Sequence, residues 1–199
     1  MRIILLLSFT ISLNAFGQPK AQQSLEKDFV SEYCNCLEKF ASAEPDKILY
    51  NVTETCIRNF FNSKGKELEQ IVNERDWGTS STLSDYEKGK AVGKEMIYNT
   101  IDDLVKDCKF YRKTLSEYKT ILMDQLKITK ESAANSIAEF KGKEEMVKDE
   151  KSKATYFTLL AIMYEFVGNK KEALNAYDRS LETYPTTQAK GLRLLLKRE

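Results

Sequence analysis

The stretch from residue 154 to residue 185 constrains the fold more than any other part of the chain. Its apolar side chains recur with the spacing of two amphipathic helices. Gly168-Asn169 lies between them, where a glycine can take a positive φ and end a helix. Alanine at 161 and 173 lets the two helices approach closely, and Pro185 cannot continue the second one. The sequence therefore predicts a tight helical hairpin, with stripes at residues 157, 160, 161 and 164 and at residues 173, 177 and 181.

Eight positions of this hairpin carry residues of a specific size or backbone freedom. Together they resemble one tetratricopeptide repeat, a helix-turn-helix unit with a period of about 34 residues. Ser180 departs from the pattern, because the family usually has alanine there. The resemblance covers residues 152–185 and implies a protein-binding scaffold without catalytic chemistry. The matching residues are Phe157, Leu160, Ala161, Tyr164, Gly168, Ala173, Tyr177 and Pro185.

The same resemblance implies a binding surface, because the inner face of the first repeat helix contacts ligands in that family. By register, this face consists of Thr155, Thr158, Ile162, Glu165 and Phe166. It contains no Lys or Arg, so the family's basic clamp for acidic C-terminal peptides is absent. We expect a protein partner that presents an extended or helical peptide with apolar anchors.

Two other hypotheses stay open at this point. Repeat arrays usually need three or more units, so a solitary hairpin could simply complete the core of a small structural protein. The working surface would then lie on the cysteine-containing half. An exported enzyme or thiol-redox protein is the other alternative.

The first 17 residues predict a cleaved signal peptide. Arg2 precedes an apolar run from Ile3 to Phe16, and Ala15-Phe16-Gly17 provides small residues at a cleavage site before Gln18. The run is shorter than the roughly 20 apolar residues that a membrane span requires, so we expect no stable membrane anchor. This leader is typical of bacterial export, which predicts a periplasmic or secreted protein.

Four cysteines in an exported chain predict two disulfide bonds. They are Cys34, Cys36, Cys56 and Cys108. Cys34 and Cys36 lie about 200° apart around one helix, so they cannot pair with each other. Two connectivities remain. A hairpin that turns near Pro45 favours Cys34 with Cys56 and Cys36 with Cys108 over the crossed alternative. No zinc or thioredoxin spacing occurs, so we expect no metal and no cofactor.

Composition narrows the function classes. The chain has 31 basic and 30 acidic residues, so loss of Arg2 with the leader leaves the charges balanced. Balanced charge gives no electrostatic basis for binding nucleic acid. The sequence has no histidine, which excludes Ser-His-Asp and Cys-His catalysis. We therefore expect a protein that is not an enzyme.

Few prolines and glycines and an abundance of Lys, Glu and Leu predict an all-α fold. We expect a helical cysteine domain over 18–127, a weak helix and charged linker over 128–153, and the hairpin with a C-terminal capping helix over 154–199. Ser84-Asp85-Tyr86-Glu87 and Thr114-Leu115-Ser116-Glu117 match capping boxes, so each predicts the start of a helix.

Overall fold

The computed structural model describes residues 20–78 and 82–198. Within these ranges the chain is all-α, as predicted, and contains no strand. The leader and its cleavage site lie outside the described residues. The α-helices are α1 (Lys20–Ala43), α2 (Thr53–Ser63), α3 (Gly65–Glu74), α4 (Asp85–Asp107), α5 (Lys109–Gln125), α6 (Ala133–Lys141), α7 (Glu150–Phe166), α8 (Lys170–Thr183) and α9 (Thr187–Arg198). Short 3-10 helices span Leu49–Val52 and Glu144–Met146.

Helix α1 organises the N-terminal part because it packs against α2, α3, α4 and α5. Its buried stripe includes Leu25, Phe29, Tyr33 and Leu37. The ring of Phe29 stacks on that of Tyr33 at 5.2 Å between centroids and meets Phe60 of α2 edge-on at 5.0 Å. Burial of each large apolar side chain stabilises the fold by about 1.5–3 kcal/mol. This aromatic cluster therefore anchors α2 on α1.

Only one of the two predicted capping boxes starts a helix. Ser84 accepts from the Glu87 N–H, and the Glu87 carboxylate accepts from the Ser84 N–H, so α4 begins there as predicted. The prediction at Thr114 was wrong. That residue lies inside α5, which begins at Lys109, and its hydroxyl donates to the Tyr111 carbonyl. The α4–α5 boundary is instead at Cys108, whose sulfur accepts from the Tyr111 N–H at 3.4 Å.

All four cysteines form disulfide bonds, but the favoured connectivity was wrong. Cys34 pairs with Cys108 and Cys36 pairs with Cys56, each with 5.8 Å between Cα atoms. Helix α1 does not turn directly into α2 at Pro45, since a turn and a 3-10 helix come first. Cys56 therefore lies in the first turn of α2, beside Cys36, which is closer than Cys34 to the C-terminal end of α1. Cys34 points to the other side of α1 and meets the α4–α5 junction.

Helices α7 and α8 form the predicted helical hairpin, and they make the most extensive helix–helix contact described. Gly168 has a φ of +75° and separates the two helices. Helix α6 comes before them, where a weak helix is predicted, and packs on α7. The charged residues between α6 and α7 include the 3-10 helix Glu144–Met146. The Tyr156 hydroxyl donates to the Phe140 carbonyl at 2.7 Å, which holds α6 against the hairpin.

Helix α9 joins the hairpin to the N-terminal part. It packs on α8 and also on α4 and α5. Lys190 donates to the Tyr98 carbonyl at 2.9 Å and pairs with Asp102 at 2.5 Å. At Gly191 a Cβ atom would lie 3.0 Å from the Tyr111 hydroxyl, so a glycine there allows α9 to approach α5. Buried residues of both parts consequently belong to one hydrophobic cluster. None of the helices described could cross a lipid bilayer, since each is too short or too polar.

Candidate binding surfaces

The side chains that carry the tetratricopeptide resemblance form the interior of the α7–α8 hairpin. Ala161, Ala173 and Tyr177 are fully buried, and Phe157 is almost so. The guanidinium of Arg179 lies over the Phe157 ring, 4.0 Å from its centroid. These positions have the packing roles that the sequence pattern predicts, and they offer no accessible chemistry.

Ser180, which departs from the family pattern, is part of a buried polar contact. Its hydroxyl donates to the Ala154 carbonyl at 2.8 Å and lies 2.9 Å from the Thr158 hydroxyl. Thr158 also donates to the Ala154 carbonyl, at 3.0 Å. Because each hydroxyl has a single proton, two of these three hydrogen bonds form at a time, and they satisfy both hydroxyls between α7 and α8. Thr158 is therefore directed into the hairpin.

The five residues predicted to form the inner binding face do not form an open groove. Ile162 is fully buried and Thr158 is 5% exposed. The remaining three differ, because Glu165 and Phe166 are partly buried and Thr155 is exposed. The physical reason is that this side of α7 packs inside the fold, since Thr158 faces Ser180 of α8 and Glu165 is held by Lys119 of α5. A partner could reach Thr155 and part of Phe166, but not the central pair of the predicted surface.

Glu165 is held in a polar network beneath α5. Its carboxylate accepts from Lys119 at 2.7 Å and from the Tyr177 hydroxyl at 2.5 Å. The side chains of Lys119 and Glu165 are only 15% and 8% exposed. The carboxylate therefore has an internal function, since it links α5, α7 and α8.

A more accessible apolar surface lies on the cysteine-containing part, between α2, α3 and α4. We name it the α2–α4 groove, and its volume is about 530 Å³. Phe61 and Leu68 form one side, and Tyr86 stands at its edge with 77% of its surface exposed. The groove is lined by Arg58, Phe61, Leu68, Tyr86, Gly89, Lys90, Gly93, Lys94 and Ile97.

Two glycines give the α2–α4 groove its depth. At Gly93 a Cβ atom would lie 3.4 Å from the Phe61 ring, so this glycine makes room for a side chain. A Cβ atom at Gly89 would have no neighbour within 4 Å, so this residue opens directly onto the groove. Each glycine costs about 1 kcal/mol of helix stability relative to alanine.

The charged residues that line the groove are all basic. Arg58, Lys90 and Lys94 line it, and none of its lining residues is acidic. Arg58 pairs with Glu54 at 2.7 Å on the exposed face of α2. Lys90 and Lys94 are exposed and form no salt bridge with a described residue. The groove thus combines an apolar floor with two exposed ammonium groups, of which Lys90 is also attracted by Glu87 one turn earlier on α4. Sequence reasoning missed it because its residues come from three helices.

Chemical features of an enzyme are few in the described ranges. No three His, Cys, Asp or Glu side chains there are grouped to hold a metal ion, and every cysteine there is in a disulfide. Comparison with known proteins does not assign the chain to a family, since no family model, curated protein or solved structure gave a significant match. The tetratricopeptide resemblance stays a prediction.

Proposed function

We propose that this chain is an exported, non-enzymatic protein-interaction module whose binding surface is the α2–α4 groove. In this proposal the tetratricopeptide-like hairpin has a structural task, because it completes the hydrophobic core through α9. The observation that carries the proposal is an exposed apolar groove with cations and no acidic residue in its lining. Exposed aromatic and aliphatic surface of this kind is typical of sites that bind another protein.

The chemistry of the groove favours a particular partner. Phe61, Leu68 and Ile97 offer apolar contacts, and Gly89 leaves space for an inserted side chain. Lys90 and Lys94 attract carboxylates, and exposed Tyr86 can pack over a bound segment. We therefore propose that the partner is a peptide segment with apolar anchors flanked by Asp or Glu. The two disulfide bonds suit an oxidising compartment outside the cytoplasm.

A peptide library displayed on phage and selected on the oxidised exported chain tests the proposal. Peptides with apolar residues next to Asp or Glu should be enriched, and the affinity of a synthesised one should be measured by fluorescence anisotropy. Gly89→Trp should fill the groove without lowering the melting temperature, because the position has open space. Binding should then fall at least tenfold.

Matched controls separate the groove from a general loss of structure. Ala91→Trp adds the same ring to an exposed position of α4 outside the groove, so binding should be unchanged. Lys90→Glu with Lys94→Glu should weaken binding, whereas Lys148→Glu on a distant exposed segment should not. Selected peptides that bind Gly89→Trp as well as the original chain would overturn this assignment.

A further inference from the structure

A second cavity lies deeper in the molecule, where residues of α1, α2, α4, α5 and α9 and of the 3-10 helix Leu49–Val52 line it. We name it the tyrosine pocket, because Tyr33, Tyr50, Tyr111 and Tyr118 all line it. Its volume is about 80 Å³. A cavity of roughly 150 Å³ can bind benzene, and a single water needs only about 10–15 Å³. The pocket therefore accommodates a chemical group smaller than a benzene ring.

Two hydroxyl groups in this pocket are available for hydrogen bonding. Tyr33 is 3% exposed and Tyr111 is 7% exposed, so both are more than nine-tenths buried. Neither hydroxyl has a hydrogen-bond partner among the described residues. Every side-chain oxygen there that is fully inaccessible has a hydrogen-bond partner. These two hydroxyls have no such partner, so part of each oxygen remains accessible. Since both residues line the pocket, the pocket is where they can meet an acceptor.

The two threonines in the buried part of the pocket are already engaged. Thr53 donates its hydroxyl to the Tyr50 carbonyl at 2.8 Å, and Thr114 donates to the Tyr111 carbonyl at 2.8 Å. Thr187 of α9 donates to the side-chain oxygen of Gln188, and Gln188 is exposed. Burial raises the pKa of Tyr33 and of Tyr111 above the ordinary value, so both phenols stay protonated donors at neutral pH. The free polar groups of the buried lining are therefore phenolic hydroxyls.

The remaining lining decides the charge of a ligand. Ile101, Leu104 and Leu115 form apolar walls, and no charged side chain lines the pocket. A charged group would lose its hydration there without gaining a counter-ion, which is costly. The pocket thus favours a neutral ligand. Tyr50 and Tyr118 are less buried than the two inner tyrosines, and their rings contact each other with 5.1 Å between centroids.

We propose that the tyrosine pocket binds a small neutral molecule in which a carbonyl oxygen accepts hydrogen bonds from Tyr33 and Tyr111 and one or two methyl groups contact Ile101, Leu104 and Leu115. This inference is independent of the α2–α4 groove. It assigns a ligand to two hydroxyls that have no hydrogen-bond partner among the described residues.

Titration of the oxidised exported chain with propan-2-one, followed by amide ¹H–¹⁵N chemical shifts, tests the proposal. Saturable shifts should cluster at residues of the pocket. Tyr33→Phe and Tyr111→Phe should each weaken binding about three- to tenfold, which corresponds to one lost hydrogen bond. Tyr184→Phe changes an exposed residue outside the pocket and should leave affinity unchanged. Propanoate, with the same number of carbons and a charge, should bind at least tenfold more weakly.

The unliganded variants provide a second readout. Since each Phe variant removes a hydroxyl without a partner, its melting temperature should equal or exceed that of the original chain. A lower melting temperature in both would show that the hydroxyls pair within the fold, and it would overturn the proposal. Equal ketone affinity in the original chain and both Phe variants would also overturn it, as would shifts confined to other surfaces or no saturable binding.

Discussion

Lys119 of α5 lies 2.7 Å from the carboxylate of Glu165 on α7, and both side chains are largely buried. This ion pair explains why a face that resembles a peptide-binding surface is not open. Glu165 belongs to the predicted inner face, yet its carboxylate is used to hold a neighbouring helix. The same carboxylate also accepts from Tyr177 of α8, so one acidic side chain joins three helices.

Glu165→Ala should destabilise the protein by about 3 kcal/mol, because it leaves the Lys119 ammonium buried without its counter-ion. The double variant Lys119→Met, Glu165→Met should recover most of that loss, since buried ion pairs are often replaced by apolar pairs at little cost. Urea unfolding followed by circular dichroism measures both effects. The exposed pair of Arg58 and Glu54 is a matched control, and breaking it should cost less than about 1 kcal/mol. Equal losses at the two pairs would contradict the buried role of Glu165.

The disulfide connectivity can be tested with variants that each keep only two of the four cysteines. A Cys36→Ser, Cys56→Ser chain keeps Cys34 and Cys108 and should contain no free thiol after oxidative folding. A Cys34→Ser, Cys56→Ser chain keeps two cysteines that do not pair, and it should retain two free thiols. Alkylation followed by intact mass measurement distinguishes the outcomes. Complete oxidation of the second chain would instead support a bond between Cys36 and Cys108, the connectivity that the sequence favours.

The two disulfide bonds should also differ in their contribution to stability. Their sequence separations are 74 and 20 residues. Loop-closure entropy predicts about 4.5 kcal/mol for the longer loop and about 3.3 kcal/mol for the shorter one. Chemical unfolding of the two double serine variants, each lacking one native bond, should show the larger loss when the Cys34–Cys108 bond is removed. A larger loss for Cys36–Cys56 would indicate that denatured-state loop length does not dominate.

Substitution by alanine should affect stability differently at Gly168, in the turn between α7 and α8, and at Gly142, at the end of α6. Gly168 has a φ of +75°, so Gly168→Ala should destabilise the fold by about 1 kcal/mol. Gly142 follows α6 with a φ of −73°, and a Cβ atom there would make only an ordinary contact at 3.8 Å. Gly142→Ala should therefore be neutral or stabilising by up to about 1 kcal/mol. Thermal unfolding compares them, and a similar effect at both sites would contradict the role of the positive φ.

The capping box at the start of α4 should make the stability of the fold depend on pH. Hydrogen bonds from the Ser84 backbone N–H and then from its hydroxyl hold the pKa of Glu87 below the ordinary value of 4.5. A depressed carboxyl pKa stabilises the fold above that ordinary value, and the contribution is lost as the pH falls through the folded-state pKa. Between pH 5 and pH 3, the melting temperature of the original chain should therefore fall more than that of Glu87→Gln. Parallel pH curves for the two chains would show that the carboxylate has no such effect.

Local chemistry explains which features could be predicted from the sequence. The α7–α8 hairpin and the start of α4 depend on side chains within one or two turns of each other. Gly168 and the Ser84–Glu87 box are examples, because their effects need no distant partner. The capping box expected at Thr114 failed for the opposite reason. The Glu117 carboxylate accepts from the Tyr50 N–H at 2.8 Å instead of capping α5, and this partner is remote in sequence.

The sequence by itself determined the all-α class, the hairpin with its small residues, and the presence of two disulfide bonds. These features depend on the spacing of apolar residues, on the residues of a turn and on the number of cysteines. All three can be recognised in the sequence without tertiary information. The tertiary structure alone decided which cysteines pair, because the path between α1 and α2 sets their register. It also decided that Ile162 is covered, and it assembled the α2–α4 groove and the tyrosine pocket. Those surfaces combine residues from three or more helices, and only packing brings such residues together.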